Sequence, residues 1–104
     1  MKTEIIPCNV AAGIDGELYL IRLGDVAILS GNLFSRNNFA AKHNAIIGTI
    51  PEGYRPAADV GGVGICIFSA GYLTIKSKGE IVFLPSATGS GSLYISAMCW
   101  KINQ

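Results

Sequence analysis

The sequence predicts an all-β domain, a small antiparallel β-sandwich or barrel. Two observations carry that expectation. Fourteen Ile and five Val stand against eight Leu, and branching at Cβ stiffens χ1 and favours strands over helices. Thirteen Gly and four Pro punctuate 104 residues, which suits short strands joined by frequent turns.

The strands can be read in order. Glu4–Cys8 is the first, and Glu17–Leu23 (ELYLIRL) the second. Gly24 and Asp25 tolerate positive φ and form a tight turn. Asp25–Phe34 then returns antiparallel, followed by Val63–Ser69, Tyr72–Lys76, Glu80–Leu84 and Ser92–Ile102. Ser77-Lys78-Gly79 turns the strands at Tyr72 and Glu80 into a hairpin. Ser35–Asn44 (SRNNFAAKHN) breaks the rhythm with three Asn, and reads as a loop with one helical turn around Phe39–Lys42. Ser86–Ser92 is small and flexible. Neither an internal repeat nor a linker interrupts the chain. Residues 1–104 therefore read as one domain, with 1–15 an N-terminal strand and connecting region.

A domain of this length buries roughly two-thirds of its unfolded surface, enough for one core. Half of the residues are hydrophobic and only 14% are charged, so some apolar surface is expected at a subunit interface. The final strand points the same way. Leu93, Ile95, Ala97 and Cys99 fall on one face, and Tyr94, Met98, Trp100 and Ile102 on the other. Both faces are apolar, so both are expected to be covered.

Several function classes are disfavoured. A net charge of +1, with no basic run, lacks the electrostatic footprint of a nucleic-acid binder. The cysteines Cys8, Cys66 and Cys99 are odd in number and unpaired in spacing, against a disulfide framework; they read as buried small hydrophobes. One histidine, His43, without a ligand cluster gives no metal site, and no cofactor motif is present. No apolar run is long enough to span a membrane. The N-terminal MKTEIIPCNVAAG lacks the apolar centre of a secretory signal, so synthesis in a reducing cytoplasm is expected. The nucleophile elbow and the phosphate-binding loop are both missing. Gly61-Gly62-Val63-Gly64 leads into a strand and so lacks a helix N-terminus for a phosphate. The seven acidic residues are scattered beside turns, without the facing pair of a glycosidase. The chain reads as a non-enzyme.

The informative segment is Gly48-Thr49-Ile50-Pro51-Glu52-Gly53-Tyr54-Arg55-Pro56-Ala57. Pro51 and Gly53 bracket Glu52, which suits a tight turn with Gly at positive φ. Pro56 forces Arg55 to be extended. Tyr54 has a ring to bury and a hydroxyl to satisfy. A rigid corner pinned by one aromatic is expected.

This IPEGYRP corner resembles the LPxGYRP corner of phage receptor-binding heads and tail-fibre tips. Gly24–Gly31 (GDVAILSG) precedes it, the hairpin LTIKSKGEIVF follows, and SLYISAMCW closes the set in the family order. The resemblance covers about Glu17–Ile102, so 16–104 would be the head. It implies a homotrimeric β head at the tip of a phage tail, with other tail or baseplate proteins as partners; the lack of a long stem points to an excised head or to a partner that supplies the stem. It implies as partner a host cell-surface polysaccharide. The alternative on the same fold is a structural tail or baseplate domain without a ligand. In lactococcal examples the sugar pocket lies between subunits, lined by a His-x-Asp pair, a Trp and an Arg. Here His43 is followed two positions on by Ala45 instead of Asp.

Sugar sites pair an aromatic face with a few fixed polar groups. The candidates here are Arg36, His43 and Asn44 in the irregular segment, Asp59 just past the corner, and Trp100, the sole tryptophan.

Overall fold

The computed structural model describes residues 3–66 and 70–103, and every regular element among them is a strand. In chain order these are β1 (Thr3–Pro7), β2 (Asn9–Val10), β3 (Ile14–Leu23), β4 (Val26–Phe39), β5 (Ala45–Thr49), β6 (Val60–Cys66), β7 (Ala70–Ile75), β8 (Glu80–Pro85) and β9 (Gly89–Lys101). They pair antiparallel in the order β1-β3-β4-β9-β6-β7-β8-β5-β2. The two ends of that order, β1 and β2, are neighbours in the chain. Only Cys8 separates them. Its N–H donates to the Leu18 carbonyl of β3 at 2.8 Å, and the next residue, Asn9, pairs with Thr49 of β5. One N-terminal segment thus lies along both edges and closes the sheet on itself.

Inside, alternation does the sorting. Leu18 and Leu20 of β3, Ala27, Leu29 and Leu33 of β4, and Leu73 and Ile75 of β7 turn inward and are buried. Ile47, Ile81, Phe83 and Leu93 fill the space between them. Phe39 and Phe83 meet edge to face, with ring centroids 5.4 Å apart. The expected hairpins form. Leu23 pairs with Val26 across a two-residue turn, with Gly24 at φ 61°. Gly79, at φ 100°, returns its N–H to Lys76 O at 2.8 Å.

Several expectations need correcting. The final strand does not present two apolar faces. Between Leu29/Met98 and Gly31/Ile95 the register slips by one residue on β9. This bulge reverses the inward parity. Leu93 and Ile95 point in before it, and Met98 and Trp100 after it, with Ile102 beyond the strand, while Tyr94 and Cys99 are exposed. Most of the apolar content on both formal faces therefore belongs to one core. The first half of the irregular Ser35–Asn44 segment is strand: β4 runs on to Phe39, accommodated by a second register shift between Ser35 and Phe39. Asn-rich composition disfavours strands, and the irregular pairing absorbs that mismatch. No helical turn follows; Ala40–His43 is a β-turn, with His43 N–H donating to Ala40 O at 3.2 Å and Lys42 at φ 63°. Ala45–Thr49, not among the expected strands, pairs with β8. The strand expected over Val63–Ser69 begins earlier, at Val60, and its last three residues lie outside the described ones.

The IPEGYRP corner is a corner. Tyr54 N–H donates to Pro51 O at 3.3 Å, with Gly53 at φ 91°, a turn that needs glycine there. Its surroundings hold it from four sides. The Trp100 indole Nε1 donates to Tyr54 O at 2.8 Å. Arg55 Nε donates to Ile50 O at 2.9 Å, and Asn103 N–H donates to Arg55 O at 2.9 Å. Pro56 bridges Ile102. Tyr54 packs half-buried against the core, under the Arg22 guanidinium at 5.6 Å. The Arg55 guanidinium lies so close to Gly79 that any Cβ there would collide with it.

This packing can be tested at the corner and at the closure. Trp100→Phe keeps most of the buried ring but leaves the Tyr54 carbonyl without its donor, so urea unfolding should show a loss of about 1–3 kcal/mol. An unchanged midpoint would remove the indole from its role as corner anchor. At the closure, burial pushes the Cys8 thiol from 9.0 up to about 11. A raised folded pKa gives stabilisation that is whole below the unfolded value and is lost as pH rises through the folded one. Stability should therefore fall more steeply between about pH 9 and pH 11 in the parent than in Cys8→Ala, as read by denaturant titration.

Candidate functional site

The antiparallel registers sort the connections onto two ends. One end carries the 24–25 turn, the IPEGYRP corner, the 76–79 turn and the C-terminal residues. The other carries the 11–13 turn, the 40–44 segment and the 86–88 loop. The sequence-derived candidates do not share one end.

Trp100 belongs to the first end and to the core. It is 5% exposed, its ring is enclosed and its N–H is committed to Tyr54 O. It offers no face for stacking, which corrects the expectation of a platform. Asp59 is also at this end and is exposed. Its Oδ1 accepts from Ser77 N–H at 3.0 Å, and its Oδ2 pairs with Lys76 Nζ at 3.4 Å. The Ser77 N–H, aided by Lys76, holds the carboxyl below the ordinary range. Asp59 thus caps the β7–β8 turn.

Arg36, His43 and Asn44 gather at the second end, and all three are exposed. Arg36 lies on the irregular stretch of β4. Its N–H donates to Gly13 O at 2.9 Å, and its Nε pairs with Asp15 at 3.1 Å. The Phe39–Phe83 contact anchors the chain just before His43. Lys42 N–H donates to Pro85 O at 2.9 Å, and Ala41 N–H to Thr88 Oγ1 at 3.0 Å. The 40–44 segment is therefore laced to the β8–β9 loop. That loop is laced in turn to β7, because Ser86 Oγ donates to Ala70 O at 2.6 Å and Ser86 N–H donates to the same oxygen at 3.1 Å. Two sets of contacts thus frame the second end, one from Arg36 to Gly13 and Asp15, the other from the 40–44 segment through the 86–88 loop to Ala70.

Tyr72 borders this surface and was not among the candidates. It is 70% exposed. The signal was present in AGYLTI: with Leu73 and Ile75 turned inward, the alternation sends Tyr72 out. Tyr72, Ala70, Gly71 and Ser86 line a hollow of about 280 Å³. Across β6 on the same outer face stand Tyr94, and Phe34 on its diagonal, about half exposed. A broader hollow of about 530 Å³ lies elsewhere, between β1 and β3, lined by Ile5, Pro7, Cys8 and Gly16–Tyr19. No group of three or more His, Cys, Asp or Glu side chains stands close enough to hold a metal ion among the described residues. Nor is any helix among them long and apolar enough to cross a membrane.

No family model and no curated protein sequence matches the chain. A solved structure does: the head domain of lactococcal phage bIL170, presented among the receptor-binding domains of lactococcal phages. The two align with a TM-score of 0.75 at 19% identity, over 98% of this chain and 100% of that one. The chain shares that fold. The likeness spans the whole head, closure and corner included, so the ordered segments in the sequence pointed to the right architecture.

Cys99 departs from the buried-thiol expectation, being exposed on the outer face of β9. Burial meanwhile keeps Cys8 in the protonated, unreactive form. Iodoacetamide in mildly alkaline buffer should therefore label Cys99 in the folded protein and Cys8 only after unfolding. Peptide mass mapping reads the difference, and early labelling of Cys8 would contradict its placement at the closure.

Proposed function

We propose that this chain is the receptor-binding head of a phage tail, a binding protein and not an enzyme, which recognises a host cell-wall saccharide. The observation that carries this reading is the near-complete overlap with a head domain discussed as receptor-binding. The second end supports it from the chain's own residues. Exposed Arg36, His43 and Asn44 are polar, sit at loop or irregular positions and rest on a hydrogen-bonded frame. Loops held by a rigid scaffold are where binding groups concentrate. Asp59 and Trp100 stay outside this proposed surface.

The same reading includes a homotrimer at the virion's tail tip, in contact with other tail or baseplate proteins. The exposed Phe34 and Tyr94, diagonal neighbours on β4 and β9, support self-association, since adjacent exposed aromatics mark contact surfaces. Light scattering should give three times the chain mass for the parent and a lower mass for Phe34→Glu. A monomeric parent would remove the trimer.

The decisive test of function is adsorption. Purified protein should bind host cells and their extracted wall polysaccharide, and compete with the phage. Arg36→Ala and His43→Ala should stay folded, because their side chains are exposed, and at least one should weaken binding by about tenfold, roughly 1.4 kcal/mol. A parent that binds neither cells nor polysaccharide would favour the structural-domain alternative.

A further inference from the structure

Tyr72 presents most of its ring to solvent at the edge of the second end. Outward strand positions are more often polar or small, and this one is neither. Its ring forms one side of a hollow whose other described lining residues are Ala70, Gly71 and Ser86. Gly71 lends only backbone to the hollow: it has the inward parity of Leu73 and Ile75, and a Cβ there would collide with the Leu84 carbonyl and the buried Phe83 ring. Ser86 forms the polar side, its hydroxyl held against Ala70 O.

Three features narrow what can occupy this hollow. Its volume, about 280 Å³, lies just below the roughly 300–1,000 Å³ typical of small-molecule sites, room for one compact ring. Its described lining residues carry no carboxylate and no cation, which suits an uncharged ligand. The ring face beside a hydroxyl matches a ligand with one apolar face and a hydroxylated rim. A neutral pyranose has that chemistry, with axial C–H groups on one face and hydroxyls around the edge.

We propose that Tyr72 is the stacking platform of a neutral-sugar subsite formed by Ala70, Gly71, Tyr72 and Ser86. The inference rests on the saccharide-binding reading above and adds the subsite that reading lacks. With Trp100 enclosed in the core, Tyr72 supplies the aromatic face. The Ser86 and Thr88 contacts join this hollow to the segment bearing His43 and Asn44. A glycan chain seated on Tyr72 would extend toward those polar residues.

The test uses the full chain on an array of purified bacterial cell-wall polysaccharides, with parent, Tyr72→Ala, Tyr72→Phe and Ala70→Leu. Tyr72→Ala should lose about tenfold or more in affinity, while Tyr72→Phe, which keeps the ring, stays within about twofold. Ala70→Leu fills the hollow from an exposed position and should lose binding as well. All variants should keep the parent's melting temperature and solution mass. Parental binding by Tyr72→Ala and Ala70→Leu would overturn the subsite and leave the receptor-binding reading standing. A fall in solution mass with Tyr72→Ala would place the ring at a subunit contact and overturn it too. Absence of binding by the parent would take down both.

Discussion

The fold depends on a single change of partner at Cys8. Up to Pro7 the chain pairs with β3, and from Asn9 it pairs with β5. The strands between those two partners are joined by antiparallel ladders throughout, register shifts included. Without the switch, the sheet would keep two open edges and an unclosed apolar face, which is where strand proteins aggregate. With it, the inward sets from β3, β4, β7, β8 and β9 meet around Leu20, Leu29, Phe83 and Leu93. The thiol at the switch is small, half-buried and weakly polar, and burial keeps it protonated. A side chain there that must stay charged would meet the same desolvation with nothing to offset it.

The corner solves a different problem, the closing of one end. A closed sheet leaves its core open above and below. At the first end Trp100, Ile50, Ile75 and Ile102 come together with the half-buried Tyr54, and the backbone there needs partners because it is neither helix nor ladder. The indole N–H, the Arg55 side chain and the Asn103 N–H supply them. The conspicuous residues of IPEGYRP are all used by the fold. Gly53 permits the turn, Tyr54 covers the core, Arg55 ties the turn to Ile50, and Pro56 reaches Ile102. The contacts of Gly53, Tyr54, Arg55 and Pro56 are therefore those of a structural corner.

This explains what could be read in the sequence and what could not. Strands such as Glu17–Leu23 and Glu80–Leu84 were legible as apolar runs bounded by Gly and Pro turn residues. The corner was legible because Pro and Gly restrict local geometry whatever surrounds them. Residues governed by register were not. The bulge between Ile95 and Met98 exists only in relation to β4, and a lone sequence shows two apolar faces where the fold has one. Trp100 was misplaced for the same reason, since the parity reversal is what carries it inward. Arg36, His43 and Asn44 could be seen as irregular and polar, but their separation from Asp59 depends on which end each connection occupies, and that follows from the pairing.

The same partition limits where recognition can occur. The interior is packed with side chains, as in small barrels whose lumen holds no ligand. The first end is closed by the corner, and its exposed acid, Asp59, already caps Ser77 N–H. What remains for a partner is the second end and the outer face. The second end is also the one closed by backbone and hydroxyl contacts to Pro85, Thr88 and Ala70, leaving the side chains of Arg36, His43, Asn44 and Tyr72 directed to solvent. Closure by main-chain contacts frees side chains for recognition, whereas closure by Trp100, Tyr54 and Arg55 consumes them. The difference between the ends is therefore chemical: the first spends its aromatics on the core, while the second buries Phe39 and Phe83 yet keeps Tyr72 on the surface beside polar groups already held in place.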